Sequence, residues 1–259
     1  MIQQNSTHPD LSIEVGDDHV AIVEFDRPPS NFFDLSLLTS LAEECEQLAD
    51  TTDTRAIVLC SAGKTFCAGA DFSAPGENRD PGPVYEQALR LFNQPLPMVA
   101  AIQGASIGGG LGLALVADFR IAAPAASFAA NFAQIGIHHG FGLSVTLPSA
   151  VGQKVAMDLL YTGRRIKAQE AQSCGLVDNV ITPGSDLRHG ARAFAAQIAT
   201  SAPLAVRAIR TTLRDDLSKK FAIATAHERV EQQKLFLTAD FQEGVAAVGE
   251  RRSGEFIGR

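Results

Sequence analysis

The sequence predicts an α/β domain followed by a helical region, and two patterns support this prediction. Up to Pro183, short apolar runs of strand length alternate with segments of helical periodicity, as in a mostly parallel sheet built from β-α units. Beyond Pro183 the periodicity is helical throughout. We therefore predict a core domain at residues 1–183 and a C-terminal helical region at residues 184–259.

The elements of the core domain follow from apolar runs and apolar spacing. Apolar runs predict strands at residues 11–15, 19–25, 56–60, 98–102, 119–122 and 177–180. Between them, residues 35–49 carry apolar side chains at helical spacing and predict a helix. Residues 73–83 are rich in proline and glycine, and we expect a mobile loop beside the functional site there.

The tail predicts four helices, at residues 186–200, 203–217, 221–237 and 240–252. The second of these has an apolar stripe and a separate stripe formed by Arg207, Arg210 and Arg214. Such a stripe is typical of a solvated helix face, and phosphate binding is the alternative. We expect the solvated face.

Composition excludes several classes of protein. The chain has 259 residues, 46% of them hydrophobic, which is enough for a full core. A formal net charge of -7 argues against nucleic-acid binding. No apolar stretch reaches membrane-spanning length, and residues 1–10 lack the regions of a signal peptide, so we expect a cytoplasmic protein. The four cysteines have no metal-ligand spacing, and we expect no metal site.

Two glycine-containing loops carry the functional signal. The run Met98–Ile102 is followed by Gly108, Gly109 and Gly110, which open a helix. A second apolar run is followed by small residues at 67–70, and both loops leave backbone N–H groups uncovered. The N–H groups of a first helical turn face negative charge, so the loops predict a site for a developing anion.

At these two loops the chain resembles the enoyl-CoA hydratase/isomerase (crotonase) family. Residues 66–71 match its F-x-A-G-A-D motif, and residues 104–110 match its G-x-x-x-G-G-G motif. Further matching blocks lie at residues 27–31, 117–122, 162–177 and 235–256. The resemblance implies a spiral of β-β-α units with two roughly perpendicular sheets. It also implies a backbone oxyanion hole, formed by the N–H groups of Ala70 and Gly109, that stabilises the enolate of a CoA thioester.

The same resemblance implies how the thioester is held. The CoA portion is expected near five residues: Arg27, Lys64, Ala68, Asp71 and Arg251. No cofactor beyond the CoA thioester substrate is implied. The assembly implied is a homotrimer, or a hexamer of two trimers, whose helical tails complete neighbouring CoA pockets. A tail folded back on its own domain is the alternative.

The chain differs from the family at the two positions where hydratases of the family carry glutamates. Gly112 stands at the position of the first and Phe132 at that of the second. Two-glutamate hydration is therefore not credible, and we expect weak hydration or another enolate reaction: isomerisation, decarboxylation or C–C hydrolysis. The nearest proton-transfer candidates are His138 and His139; a purely structural pair is the alternative. Phenylalanines around that turn, including Phe132 and Phe141, indicate an apolar acyl pocket.

Three alternative functions are a serine hydrolase, a non-catalytic acyl-CoA-binding protein and a nucleotide-binding dehydrogenase. Residues 104–108 fit the G-x-S-x-G motif of a serine hydrolase, with Ser106 as nucleophile and Asp118 and His138 following. Against it, Asp118 follows Ser106 too closely for that fold. A non-catalytic acyl-CoA-binding protein is the second alternative, because both glutamates are missing. A nucleotide-binding dehydrogenase lacks its G-x-G-x-x-G motif here.

Overall fold

The chain folds into two sheets with helices packed around them. The structure is a computed structural model that describes residues 2–4, 6, 8–50, 53–72 and 79–259. Its strands are β1 (Ile2–Gln4), β2 (Leu11–Val15), β3 (Val20–Phe25), β4 (Ala56–Ser61), β5 (Met98–Ile102), β6 (Ala105–Ile107), β7 (Phe119–Ala122), β8 (Ser127–Ala129), β9 (Ile166–Lys167) and β10 (Asn179–Val180). Its helices are α1 (Leu35–Asp50), α2 (Gly82–Asn93), α3 (Gly109–Val116), α4 (Leu143–Thr162), α5 (Ala168–Ser173), α6 (Leu187–Ala199), α7 (Pro203–Leu235) and α8 (Ala239–Glu250), with a 3-10 helix at Asn131–Ile135.

The larger sheet has the strand order β1-β2-β3-β4-β5-β7-β10. The pairs β1-β2 and β2-β3 are antiparallel, and the pairs from β3 to β10 are parallel. In the parallel part, Val23 lies opposite Leu59, and Leu59 lies opposite Ala100. Parallel strands are buried on both faces, which explains why β4 and β5 are unbroken apolar runs.

The two faces of β4 belong to different hydrophobic clusters. Ile57 and Leu59 face the main core, whereas Val58 and Cys60 face a second cluster on the opposite side of the sheet. That second cluster includes three alanines of α6, namely Ala191, Ala195 and Ala199. Helix α6, the first helix of the tail, therefore covers one face of the core sheet.

The smaller sheet fixes the start of α3. Strand β6 pairs in parallel with β8, and β8 pairs antiparallel with β9. Gly108, which follows β6, donates its N–H to the carbonyl of Ala129 at 2.8 Å. The first turn of α3 is thus held against β8.

The tail differs from the prediction in one element. Residues 203–235 form the single helix α7, so the predicted break between residues 217 and 221 is wrong. Two ion pairs at helical i,i+4 spacing, Asp215 with Lys219 and Asp216 with Lys220, bridge that region and favour helix. Beyond it, Phe221 is fully buried and stacks on Phe92 of α2 at 4.9 Å between ring centroids.

The arginine stripe of α7 is also not the solvated face that we expected. Arg210 Nε lies 2.8 Å from Asp118 Oδ2, and a guanidinium nitrogen of Arg214 lies 2.7 Å from Asp118 Oδ1. The Arg214 guanidinium carbon also sits 3.7 Å from the centre of the Phe92 ring. Because Asp118 precedes β7, this group ties α7 to the end of the core sheet.

The remaining expectations have mixed outcomes. In the single chain, α6 and α7 pack on the core. Packing of the tail on a neighbouring subunit stays a prediction. The division of the chain after residue 183 also stays a prediction. Of the predicted loop, residues 73–78 lie outside the described residues, and residues 82–83 already belong to α2. None of the helices in the described part of the chain combines the length and apolar character that a bilayer crossing requires.

Candidate active site

One cavity lies beside the two glycine-containing loops. It has a volume of about 670 Å³ and is bordered by residues of both loops, including Ala70 and Gly109. Phenylalanine rings form much of its wall: Phe32, Phe33, Phe72, Phe132, Phe141 and Phe236. Its polar lining comes from Arg27, Asp34, Asp71, Arg79, Asp80, Tyr85 and Gln232. A largely apolar cleft with a few polar groups is typical of a small-molecule site.

A short parallel pairing holds the two loops side by side. Cys67 pairs with Ser106, through Cys67 N–H to the Ala105 carbonyl and Ile107 N–H to the Cys67 carbonyl. Beyond this pair, a Cβ atom built on Gly69 would lie 3.1 Å from the Gly109 nitrogen. The residue before Ala70 therefore lies against the backbone of Gly109.

Both of these residues offer a backbone N–H group. Among the residues that the structure describes, neither the Ala70 N–H nor the Gly109 N–H has an acceptor. Gly109 is the first residue of α3, so its N–H is one of those that an α-helix leaves unsatisfied. The partial positive charge of the helix N-terminus adds to the attraction for an anion. An N–H group of this kind at the edge of a cavity can bind an oxygen that acquires negative charge.

Phe141 occupies the place of a side chain at Gly112. A Cβ atom on Gly112 would lie 2.7 Å from both Cβ and Cδ1 of Phe141. Phe141 itself has a positive φ of 61°, which is uncommon for a residue with a side chain and costs free energy. No carboxylate fits at position 112 in this packing.

The position of the second family glutamate is also aromatic. Phe132 lies in the 3-10 helix and borders the cavity. Its Cζ would lie 3.8 Å from a Cβ atom on Gly108, the residue before the Gly109 amide. Phe132 and Phe141 therefore both border the cavity.

The histidine pair does not border the cavity. The rings of His138 and His139 stack at 4.1 Å, and His138 meets the ring of His227 on α7 edge-on. His138 Nδ1 contacts the His139 carbonyl at 2.7 Å, and His139 Nε2 contacts Ser144 Oγ at 2.9 Å. Burial, and then the charges of its two histidine neighbours, lowers the pKa of His139 to about 4. Neither histidine is among the residues that line the cavity, and their role in proton transfer stays a prediction.

A buried carboxylate lies behind the same turn, and the sequence analysis did not identify it. Glu228 of α7 is fully buried and accepts the N–H groups of Gly142 at 2.8 Å and Ser144 at 2.9 Å. Burial raises the pKa of Glu228, and the hydrogen bonds from Ser144 and Gly142 oppose that rise. This carboxylate fixes the segment that carries Phe141. An acidic residue on an otherwise ordinary helix gives no sequence signal for such a role.

Tyr85 and Gln232 form a second missed feature, on the cavity wall. Gln232 Nε2 donates to the His138 carbonyl oxygen at 2.7 Å. Because a carbonyl oxygen can only accept a hydrogen bond, this contact fixes the orientation of the Gln232 amide. Gln232 Oε1 then faces Tyr85, whose hydroxyl donates to it at 2.8 Å. Burial raises the pKa of Tyr85. The pair is neutral and links α2, α7 and the histidine turn.

Of the residues expected near CoA, the structure brings two to the cavity. Arg27 and Asp71 border it, and Arg27 pairs with Asp10 at 2.9 Å and Asp34 at 2.7 Å. Ala68 donates its N–H to the Ser30 carbonyl, close to the same loop. Lys64 and Arg251 do not border the cavity of the single chain.

The serine-hydrolase alternative finds no support in the geometry. Ser106 is fully buried, and its hydroxyl donates to the Gly110 carbonyl at 2.9 Å. Asp118 is engaged by Arg210 and Arg214, and His138 by a backbone carbonyl. The three residues of the proposed triad therefore have other partners.

Comparisons with known proteins agree with this fold. The family model described as enoyl-CoA hydratase/isomerase matches residues 16–259. The chain is 36% identical to the (E)-benzylidenesuccinyl-CoA hydratase of Thauera aromatica over 262 residues, covering 96% of this chain and 99% of that one. It is 34% identical to the carnitinyl-CoA dehydratase of Proteus mirabilis over 244 residues, covering 90% and 93%.

A solved structure agrees equally well. The crystal structure of an enoyl-CoA hydratase/isomerase from Pseudoalteromonas atlantica T6c has a TM-score of 0.85 and 30% sequence identity, covering 96% of this chain and 100% of that one. The predicted crotonase fold is thereby confirmed. The protein described here belongs to the enoyl-CoA hydratase/isomerase family.

Proposed function

We propose that this chain is an acyl-CoA enzyme whose backbone oxyanion hole, formed by the N–H groups of Ala70 and Gly109, stabilises a thioester enolate. The observation that supports this most is that Ala70 and Gly109 border one cavity and that neither N–H has an acceptor among the described residues. Such preorganised donors are worth several kcal/mol when charge develops on the oxygen they bind. Both relatives named above have CoA esters in their names, which agrees with a thioester ligand.

The reaction that we propose is not two-glutamate hydration. Adding water across a conjugated bond needs a base for the water and an acid for the α-carbon. Phe141 and Phe132 fill those places. Isomerisation, decarboxylation and C–C hydrolysis remain, and each leaves an electron pair on the thioester enolate. In decarboxylation, for example, the carbon–carbon bond to a carboxylate breaks, CO₂ leaves, and the α-carbon then takes a proton.

The source of that proton stays open to experiment. His138 and His139 were the predicted candidates, and the cavity lining gives them no support. Their role is tested by the turnover of His138→Ala and His139→Ala on the best substrate found. Full rates in both variants exclude them from proton transfer.

The experiment for the oxyanion hole is infrared difference spectroscopy with crotonyl-CoA carrying a ¹³C-labelled thioester carbonyl. We expect the carbonyl stretch to shift to lower frequency on binding, because two N–H donors polarise the bond. An unshifted carbonyl in a complex that calorimetry shows to be saturated would exclude the proposed hole.

A non-catalytic acyl-CoA-binding protein is the second candidate, favoured by the absence of carboxylates at positions 112 and 132. It predicts the same infrared shift without turnover. A panel of acyl-CoAs that includes malonyl-type and 3-ketoacyl thioesters separates the two candidates, since turnover of any member supports the enzyme.

A further inference from the structure

We infer that the acyl group accepted by this site carries a planar aromatic ring close to the thioester. The inference rests on the proposed function, because the position of the ring is defined relative to the Gly109 amide. It concerns the substrate class and is independent of which enolate reaction follows.

Three phenylalanine rings converge on the glycine turn that carries this amide. A Cβ atom on Gly109 would lie 2.6 Å from Cζ of Phe33, so the edge of that ring rests on Gly109. Phe33 and Phe141 are 5.2 Å apart between centroids and tilted by 44°. Phe132 approaches the preceding Gly108. All three phenylalanines border the same cavity as Gly109, so an acyl group whose carbonyl binds the Gly109 N–H lies beside them.

The rings are held rigidly. Phe33 donates its backbone N–H to the Gly69 carbonyl at 2.9 Å, in the same loop as Ala70. The segment carrying Phe141 is fixed by Glu228, which accepts the N–H of Gly142. Rigid walls favour a rigid ligand, since each flexible bond immobilised on binding costs free energy. A flexible alkyl chain loses more of this freedom than an aryl group.

Aromatic walls also distinguish flat rings from saturated ones. Phenyl rings at edge-on or offset geometry gain about 0.5–1.5 kcal/mol beyond the area that they bury. A saturated ring of the same carbon count buries similar area and lacks this electrostatic gain. The preference expected from one such contact is about twofold to tenfold in the dissociation constant.

Isothermal titration with two matched thioesters tests the inference. The ligands are 3-phenylpropanoyl-CoA and 3-cyclohexylpropanoyl-CoA, which share their carbon skeleton and differ in planarity and π-electrons. We expect the phenyl thioester to bind about twofold to tenfold more tightly. The variant Phe132→Leu should reduce that preference towards parity, whereas Phe128→Leu, a buried phenylalanine outside the cavity lining, should keep it.

The outcomes separate the two proposals. Equal affinities for the two thioesters in the wild-type protein, or an unchanged preference in Phe132→Leu, overturn the inference. Acetyl-CoA, which has no ring, reports on the proposed function alone. If neither acetyl-CoA nor either matched thioester binds at millimolar concentration, the proposed function fails and the inference fails with it. Thermal unfolding of both variants shows whether they remain folded.

Discussion

Phe141 and Gly112 are partners in packing, although they lie 29 positions apart in the sequence. The side chain of Phe141 fills the space above Gly112, and a Cβ atom at position 112 would lie 2.7 Å from Phe141 Cβ. The absence of a side chain at position 112 and the presence of a phenylalanine on the histidine turn are therefore one structural feature.

This relationship predicts that Gly112→Ala destabilises the protein. Overpacking of a filled core costs about 1–3 kcal/mol in the free energy of unfolding, measured by urea denaturation. In a Phe141→Gly background the same change should cost close to nothing, because both the Cβ and the ring atoms that clash are gone. The matched control is Gly249→Ala in α8, where a Cβ atom meets nothing within 4 Å. We expect that control to be neutral or about 1 kcal/mol more stable. Equal effects at positions 112 and 249 would contradict the packing relationship.

The second prediction concerns the oxyanion hole. Gly69 and Gly63 both have a positive φ, of 87° and 75°, so alanine brings comparable backbone strain to either position. At Gly69 the new Cβ lies 3.1 Å from the Gly109 nitrogen, whereas at Gly63 it meets nothing within 4 Å. Displacement of reacting groups by about 1 Å can cost up to about a hundredfold in rate. We expect kcat/KM to fall about tenfold or more in Gly69→Ala relative to Gly63→Ala. Equal losses would indicate that strain alone is responsible.

How much the sequence predicts depends on whether a feature is local. The strands β2 and β5 and the start of α1 follow from apolar runs and spacing, and the structure places them at the predicted residues. The helix break after residue 217 was wrong because α7 is stabilised by Phe221, whose contact with Phe92 lies far away in the sequence. Tertiary contacts override local composition there.

The site shows the same difference between features set by local sequence and features set by distant contacts. The loops around Ala70 and Gly109 carry sequence motifs, and the structure places both residues at one cavity. The direction in which the histidine rings point depends on α7, which supplies His227 beside them and Glu228 behind their turn. A position on a turn does not determine which side of that turn a ring occupies. Whether the histidine rings border the cavity was therefore not predictable from the local sequence.

The third prediction is that the Asp118 group is essential for stability. Arg214 is mostly buried, and burial lowers its pKa to about 10, so it stays charged at neutral pH. Arg214→Ala leaves Asp118 with Arg210 and the Met98 N–H as partners and removes the contact with the Phe92 ring. We expect a loss of about 1–3 kcal/mol in the free energy of unfolding. Lys219→Ala removes an exposed pair with Asp215 on the same helix and should leave the free energy of unfolding almost unchanged. Urea denaturation of both variants measures the difference, and similar midpoints would show that the Asp118 group adds no more than a surface pair.

The last prediction is a pH dependence of stability that comes from His139. Its pKa is about 4 in the folded protein, against an ordinary value of 6.5, because burial disfavours the charged ring. Between these values the unfolded chain binds more protons than the folded one. The contribution of His139 to the free energy of unfolding is therefore fully present above about pH 6.5 and is lost as the pH falls towards 4. The loss amounts to at most ~3 kcal/mol.

Two substitutions distinguish the contribution of His139 to the pH dependence from that of the groups around it. His139→Gln should flatten the decline between pH 6.5 and 4, measured by urea denaturation at a series of pH values. The groups nearest to His139 are His138, His227 and, through Ser144, Glu228. Glu228 acts in the opposite direction, because its raised pKa gives a contribution that is present at low pH and lost as the pH rises through its folded value. Glu228→Gln should therefore steepen the decline, and a decline that is identical in the wild type and in His139→Gln would assign the effect to other groups.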